Sequence, residues 1–172
     1  EKMWSTIRRD FQKENLMSFC LKYLSSKGNQ AVVLYRISSC LYQKKFFVLA
    51  KIVKNYSIKK TGADIGEGAV IGKNLSIGHP VGIVIGGDVI LGENNFLLSG
   101  VVLGATSNSK GGGKIVVGDN VYFGSGAKII GNIKIGNNVN IGANAVVIKD
   151  VPDNATCVGV PGRNIINEGN VC

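Results

Sequence analysis

The clearest pattern in the chain is an apolar position that recurs every six residues over residues 64–150. The step lengthens twice, to eight residues between Ile77 and Ile85 and to fourteen between Leu103 and Val117. Each longer step exceeds a multiple of six by two, so we interpret both as insertions in one continuing frame. The recurring positions are Ile65, Ile71, Ile77, Ile85, Leu91, Leu97, Leu103, Val117, Phe123, Ile129, Ile135, Ile141 and Val147.

A second apolar or small residue lies two positions before most members of this series. Glycine usually comes directly after a member of the series, as in Ile65-Gly66. Neither a helix, with a period of 3.6, nor a single strand, with a period of two, explains a repeat of six. Six residues contain three strand periods, so the same face returns to the interior after each short strand and its glycine- or asparagine-containing corner. The pattern predicts a solenoid of short strands stacked around a shared core. The second positions are Ala63, Ala69, Leu75, Val89, Val101, Ile115, Val121, Ala127, Ile133, Val139 and Ala145.

Residues 1–60 follow a different pattern, with few glycines, most of the aromatic residues and much of the positive charge. Apolar residues at helical spacing predict a first helix that ends near 25–28, a second that begins near Asn29, and a short third helix over 45–54. We interpret Gly28, followed by Asn29, as a helix stop. These helices are expected to cap one end of the column, whose strand edges would otherwise be open.

The apolar stripes of the predicted helices allow two interpretations. We expect them to pack against the column or against neighbouring subunits. The alternative is an amphipathic patch, with Lys44, Lys45, Lys51 and Lys54, that touches an anionic membrane. Residues 56–62 are predicted to form a short link into the first repeat.

The resulting organisation has three parts: an α-helical region over 1–60, a repeat domain over 61–151 and a C-terminal tail over 152–172. The repeat domain corresponds to about five coils if a coil takes about 18 residues. Pro152 and Pro161 cannot donate to a ladder of backbone hydrogen bonds, so the tail is expected to leave the column there.

Four segments resemble the hexapeptide-repeat acyltransferases, and most nearly the serine acetyltransferases among them. They are IGHPVGIVIG around His79, VVLGAT at 101–106, GSGAKIIGNIKIG at 124–136 and IGANAVVIKDVPDNATCVGVPGR at 141–163. The resemblance covers about residues 62–166. It implies a mainly β fold, namely a left-handed parallel β-helix of hexapeptide repeats with three hexads per coil. It also implies acetyl-CoA as the acyl donor and a homotrimer with active sites between subunits.

Composition narrows the choice of partner and compartment. The net charge of +9 favours anionic partners, and the phosphates of coenzyme A have that sign. No motif that combines aromatic and basic residues points to nucleic acid. The four cysteines lie far apart and match no metal spacing, so we expect free thiols, no metal and a reducing compartment. The charged beginning of the sequence and the shortness of its apolar runs lead us to expect a cytoplasmic protein.

His79 is the sole histidine and lies at the first insertion, followed by Pro80, which restricts its backbone to an extended conformation. An imidazole is suited to removing a proton from a hydroxyl near neutral pH. A surface or subunit-contact histidine is the alternative. The resemblance implies that His79 is the catalytic base, that Asp64 stabilises its imidazolium, and that the acceptor oxygen attacks the thioester directly. Asp64 as a corner residue that accepts from backbone amides is the alternative to that role.

Small residues are needed where a pantetheine arm approaches the backbone closely, and cations where the CoA phosphates bind. The resemblance implies the first role for four residues, and the lysines and arginine are candidates for the second. The cofactor-binding candidates are Gly104, Ala105, Ser125, Ala143, Lys128, Lys149 and Arg163. The second insertion, at 107–114, is expected to form a loop over the acceptor, with Lys110 as a possible anion contact, or a plain loop.

The chain departs from the serine acetyltransferase pattern at two places. Gly78 stands where those enzymes carry Asp before the catalytic His, and three glycines at 111–113 stand where an Arg-His-Pro segment helps to hold the amino acid. A zwitterionic serine needs a carboxylate for its ammonium and a cation for its carboxylate. We therefore expect another acceptor, a sugar hydroxyl of a surface polysaccharide or its precursor, with L-serine as the alternative. A non-catalytic β-helix scaffold is the competing class, while one histidine per chain argues against a three-histidine zinc site.

Overall fold

The computed structural model describes residues 23–104 and 114–166, which form helices followed by short strands. The helices are α1 (Lys27–Gln43) and α2 (Phe47–Thr61), and residues 23–25 are also helical. The strands are β1 (Asp64–Ile65), β2 (Val70–Ile71), β3 (Ser76–Ile77), β4 (Val84–Ile85), β5 (Ile90–Leu91), β6 (Phe96–Leu97), β7 (Val102–Gly104), β8 (Ile115–Val117), β9 (Tyr122–Phe123), β10 (Lys128–Ile130), β11 (Ile133–Ile135), β12 (Asn140–Ile141), β13 (Val146–Val147), β14 (Ala155–Val158) and β15 (Arg163–Ile166).

Every third strand joins the same sheet, so the chain winds into a three-sided parallel column. Sheet A has the order β1-β4-β7-β10-β13, sheet B has β2-β5-β8-β11, and sheet C has β3-β6-β9-β12-β14-β15. Residues stacked at the corner between sheets B and C are separated by 20, 26, 18 and 16 positions along the chain. The coils lengthened to 20 and 26 residues contain the two insertions, which confirms that the repeat continues across both.

The two apolar series fill the interior of the column. All their members are buried, and the largest, Phe123, has no exposed surface. Their neighbours in the strands point outward, as the intermediate-then-buried pattern of Asp64 and Ile65 shows. The predicted solenoid core is therefore confirmed position by position.

Asparagine forms the corner between sheets B and C. Asn74, Asn94, Asn120, Asn138 and Asn154 all adopt positive φ, which asparagine tolerates better than most residues. Their side-chain amides stack from coil to coil: Asn74 donates to Asn94 over 2.8 Å, Asn120 to Asn138 over 3.2 Å, and Asn138 to Asn154 over 3.1 Å. The repeat thus carries a polar ladder outside its apolar core.

Helix α1 closes the open end of the first coil, as the sequence predicts. The Tyr35 hydroxyl donates to the Ala69 carbonyl over 2.7 Å, and Arg36 donates to the Ile71 carbonyl over 2.6 Å. These carbonyls point away from the second coil, so α1 supplies the partners that a further coil would otherwise provide.

The helix boundaries differ from the prediction. Gly28 lies in the first turn of α1 rather than at a stop, and Ser26 is the N-cap. A Cβ at Gly28 would overlap the backbone of Ile77, so close packing explains this glycine better than helix termination does. The third predicted helix extends through the supposed link to Thr61, and Gly62 ends it in the left-handed conformation with φ 81°.

The column also continues beyond the predicted exit at Pro152. Val151 bridges to Ile135 in sheet B, and β14 stacks in parallel on β12. Strand β15 then turns back antiparallel to β14. Pro152 and Pro161 lie between these segments, where the missing N–H is not needed by a ladder. Within residues 23–104 and 114–166, no helix is both long and apolar enough to cross a membrane.

Candidate active site

His79 lies at the corner where the chain passes from sheet C to sheet A. We define the His79 corner as the stack of residues 78–82, 98–100, 124–126 and 142–144. Backbone hydrogen bonds join its layers: Gly100 donates to Val81 over 3.0 Å, Gly126 to Ser99 over 2.8 Å, and Asn144 to Ser125 over 2.8 Å. The corner therefore aligns residues that are far apart in sequence along one side of the column.

The His79 side chain is exposed at the lower end of this corner, while the adjacent Pro80 is buried and anchors the loop. Among the described residues, none forms a hydrogen bond or ion pair with the imidazole, so it remains accessible to a substrate. A Cβ at Gly78 would lie 2.8 Å from Leu98 Cδ2 and 3.3 Å from Phe96 Cζ. Apolar side chains thus line the position where the serine acetyltransferase pattern implies an Asp.

Asp64 begins β1 on the side of sheet A that adjoins the His79 corner. Gly62, two residues earlier, accepts a hydrogen bond from Gly82 over 3.0 Å, which brings the two segments together. The Asp64 carboxylate is 3.0 Å from Lys54 Nζ, and the same ammonium is 3.7 Å from Glu67. The contact between Asp64 and His79 that the resemblance implies stays a prediction, since in this chain Lys54 is the partner of the carboxylate.

Two candidate pantetheine contacts, Ser125 and Ala143, occupy successive layers of the His79 corner. A Cβ at Gly124 would lie 2.6 Å from the backbone nitrogen of Ala143, so the layers pack without intervening side chains. Coils are about 4.8 Å apart, which places Ala143 about 14 Å above the layer of His79. That span is comparable to an extended pantetheine arm.

The structure adds Ser99, which the sequence reasoning missed. Its Oγ is 3.5 Å from Ser125 Oγ, and Gly82, Gly100 and Gly126 stack beside it with positive φ. The sequence does contain a sign that Ser99 is equivalent to Ser125, because Ser99-Gly100 comes two residues after Leu97 just as Ser125-Gly126 comes two residues after Phe123. Of the two pairs, only Ser125-Gly126 lies in a segment that resembles the family.

The cationic candidates divide between two places. Lys128 Nζ donates to the Gly100 carbonyl over 2.5 Å, at the His79 corner. Arg163 pairs with Val158 at the upper end of that corner, where Gly162 donates to the Val146 carbonyl over 2.7 Å. Lys149 follows β13 and is exposed near the opposite end of sheet A.

Gly104 ends β7, also at the opposite end of sheet A from the His79 corner. Ala105 and Lys110 lie outside the described residues. The structure thus collects His79, Ser125 and Ala143 along one corner, while the roles of all these residues stay predictions.

The cysteines and acidic residues show no metal-binding arrangement within the described ranges 23–104 and 114–166. Cys40 and Cys157 are free thiols. Burial raises the pKa of the Cys157 thiol, so this side chain is a poor nucleophile where it stands.

Comparison with characterised sequences identifies close relatives. The family model described as bacterial transferase hexapeptide (six repeats) matches residues 114–149. The serine acetyltransferase of Bacillus subtilis is 39% identical over 146 residues, 85% of this chain and 67% of that protein. The serine acetyltransferase of Staphylococcus epidermidis is 39% identical over 170 residues, 98% of this chain and 80% of that protein.

Solved structures agree with the sequence relatives. Soybean serine acetyltransferase complexed with serine superposes with a TM-score of 0.83 at 34% identity, over 95% of this chain and 69% of that one. A serine acetyltransferase in complex with CoA superposes with a TM-score of 0.83 at 33% identity, over 95% and 69% of the two chains.

These relatives correct the expected acceptor. The polysaccharide hydroxyl was the main expectation from the sequence, and it is wrong, because the matched proteins and structures are serine acetyltransferases. The expectation rests on two departures from the family pattern, at Gly78 and at residues 111–113, and these weigh less than the similarity along the whole column.

Proposed function

The chain belongs to the serine acetyltransferase family and is an acetyl-CoA-dependent O-acetyltransferase, and we propose that its acceptor is the hydroxyl of L-serine. The observation that carries the proposal is the His79 corner, where an exposed imidazole lies below a row of small residues. The complex of the soybean enzyme with serine supports the choice of acceptor.

The proposed reaction has one direct transfer. His79 removes the proton of the serine hydroxyl as the oxygen attacks the thioester carbonyl. Backbone N–H groups are the candidate donors to the oxyanion that forms. The carbon–sulfur bond then breaks, the CoA thiolate takes the proton from the imidazolium, and O-acetylserine and free CoA leave. Asp64 would stabilise the imidazolium between these proton transfers.

The donor would lie along the His79 corner. Ser99, Ser125 and Ala143 would allow the pantetheine arm to approach the backbone, while Lys128 and Arg163 are the candidate cations for the phosphates. We further propose that the enzyme works in the cytoplasm as a homotrimer. The exposed His79 corner of a single chain supports the trimer, since a neighbouring column would supply the second wall of a substrate groove.

A thiol-release assay tests the acceptor. Acetyl-CoA is incubated with L-serine, D-serine, L-homoserine or mono- and oligosaccharides, and free CoA is followed with a thiol reagent. We expect turnover with L-serine above the rate of hydrolysis. Folded protein that transfers acetyl to none of the amino acids would disprove the proposal.

His79→Asn tests the chemistry, because asparagine keeps the polarity but provides no base. We expect kcat to fall about 10²- to 10⁴-fold with an unchanged melting temperature. The exposed Asn140→Ala, on the outer face of sheet C, is the matched control and should retain activity. Equal activity of His79→Asn and wild type would exclude His79 as the base.

Gly78→Asp tests the ammonium contact. A new carboxylate beside His79 would gain a charge-assisted hydrogen bond, which lowers the KM for serine about 10-fold or more. The closest obstruction to the new Cβ is the flexible end of Leu98, so the substitution should fold. An unchanged KM for serine would show that the ammonium binds elsewhere.

A further inference from the structure

Helix α2 turns its apolar side outward. The residues of α2 that are most buried against the rest of the protein are small, with Ala50, Ser57 and Thr61 exposed by only 0%, 6% and 5%. On the opposite side, Val48 is 73% exposed and Ile52 is 57% exposed. A helix on the surface of a globular domain normally has the reverse arrangement. The outward side of α2 is therefore built for contact with something other than water.

The exposed apolar residues are grouped along the helix: four are consecutive at 46–49, and two more follow one and two turns after Val48. We define the α2 face as Phe46, Phe47, Val48, Leu49, Ile52 and Tyr56, each about half exposed or more. Tyr42 extends this surface, because its ring lies edge-on to Phe47 at 5.3 Å. Contiguous apolar surface of this kind marks an interaction site.

The charged residues of the helical segment itself are all basic, and of these Lys54 pairs with Asp64 and Glu67 of the column. Residues 23–63 contain no aspartate or glutamate, whereas the same segment contains Lys27, Arg36, Lys44, Lys45, Lys51, Lys54, Lys59 and Lys60. Lys44, Lys45, Lys51 and Lys59 are exposed next to the apolar side chains. The helical region therefore carries most of the net charge of +9.

The combination of exposed apolar residues and positive charge favours one class of partner over the others. Two copies of the α2 face brought together would oppose like charges, which disfavours direct pairing of two such faces. Nucleic acid would match the charge but not the large aliphatic residues. An anionic bilayer matches both, because its headgroups attract lysine and its acyl boundary accepts aliphatic and aromatic side chains.

We propose that the α2 face binds the surface of an anionic membrane. The helix lies in the plane of the interface, with Val48, Leu49 and Ile52 directed into the headgroup–acyl boundary and the flanking lysines directed to lipid phosphates. Fifteen residues are too few to span the bilayer, so the attachment is peripheral and reversible. Binding should weaken as salt is added, because the lysine contribution is screened.

Vesicle flotation of the full chain tests this proposal. The probes are vesicles of neutral phosphatidylcholine and vesicles that contain about one third phosphatidylglycerol, at low and high salt. We expect flotation with the anionic vesicles alone, decreasing with salt. Lys51→Gln combined with Lys59→Gln should reduce the partition about 25-fold, from about fivefold per lysine. Val48→Ser combined with Ile52→Ser should reduce it at least about tenfold.

Matched controls separate the α2 face from charge and hydrophobicity in general. Lys114→Gln with Lys134→Gln removes two exposed lysines from the column, and Val70→Ser removes an exposed valine from the column surface. Both should float like wild type.

Three outcomes would overturn the proposal. One is wild-type protein that does not float with anionic vesicles. The second is an equal loss of binding in the controls, which indicates diffuse charge attraction. The third is a change in oligomeric mass on substitution of Val48 and Ile52, which assigns the face to a subunit interface. Acetyl transfer by each variant reports folding independently of lipid binding.

Discussion

Replacement of Gly28 by alanine sets local helix preference against packing. Alanine favours a helix by up to about 1 kcal/mol over glycine, so propensity alone predicts stabilisation. The structure predicts the opposite, because the new Cβ would overlap the carbonyl oxygen of Ile77 and lie 2.9 Å from its carbonyl carbon. The obstruction is backbone that already belongs to a ladder, since β3 pairs with β6, so it has little freedom to move.

The net effect follows from those two terms. Overpacking costs about 1–3 kcal/mol, and contact with fixed backbone belongs at the upper end. We therefore expect a net loss of about 2 kcal/mol and a melting temperature lower by about 4–8 °C. Because Ile77 immediately precedes Gly78 and His79, a shift of β3 by about 1 Å would also reduce kcat at least tenfold.

Thermal unfolding followed by circular dichroism, together with thiol release at saturating acetyl-CoA, measures both effects. Gly87→Ala is the matched control, because a Cβ there meets no atom within 4 Å, and it should change stability by less than about 0.5 kcal/mol. A Gly28→Ala variant as stable as wild type or more so would refute the proposed packing of α1 against β3.

Three further predictions concern the site and the core. Asp64→Asn should lower kcat at least tenfold if its carboxylate orients His79. Lys54→Gln breaks the ion pair of Asp64 with Lys54 without removing the carboxylate, so this variant should retain activity. Equal losses of activity in the two variants would assign the effect to the ion pair. Phe123→Ala should lower the free energy of unfolding in urea by about 3–5 kcal/mol because the ring is fully buried. Tyr122→Ala, on the outer face, should lower it by no more than about 1.5 kcal/mol. Similar losses in the two variants would contradict the assigned core. Burial raises the pKa of the Cys157 thiol, so little reactive thiolate is present at pH 8. Peptide mapping after iodoacetamide treatment should therefore find Cys157 unlabelled in the folded protein and labelled in urea. Labelling of the folded protein as fast as of the unfolded protein would contradict the burial of Cys157.

The column was predictable because its information is local and repeated. Each hexad places one aliphatic residue in the core, so a single insertion such as residues 78–82 cannot obscure the frame around it. The helix boundaries were less predictable. Gly28 is conformationally ambiguous in sequence, since a glycine that ends a helix and a glycine that admits a neighbouring backbone look alike. Its contact with Ile77 spans 49 positions, beyond any local window.

The site was predictable in part for a similar reason. His79 lies at an insertion, and few other side chains accept a proton near neutral pH, so the sequence alone identifies it as a candidate. The alignment of Ser99 with Ser125 depends on a coil of 26 residues, which only the register of the sheets reveals. The sequence predicts the wrong acceptor because two local departures from the family pattern, at Gly78 and at residues 111–113, say less about the acceptor than the similarity of the whole chain does. The ion pair of Asp64 with Lys54 joins a strand to a helix whose full length the sequence did not predict.

The placement of α1 across the first coil governs how columns of this kind meet. Backbone carbonyls that would otherwise seed further coils are already occupied by Tyr35 and Arg36. A second molecule therefore cannot extend sheet B through these carbonyls of the first coil, which disfavours end-to-end polymerisation into fibrils there. Association is left to the flat sides and corners, where identical columns can gather around an axis and stop growing once the ring is closed.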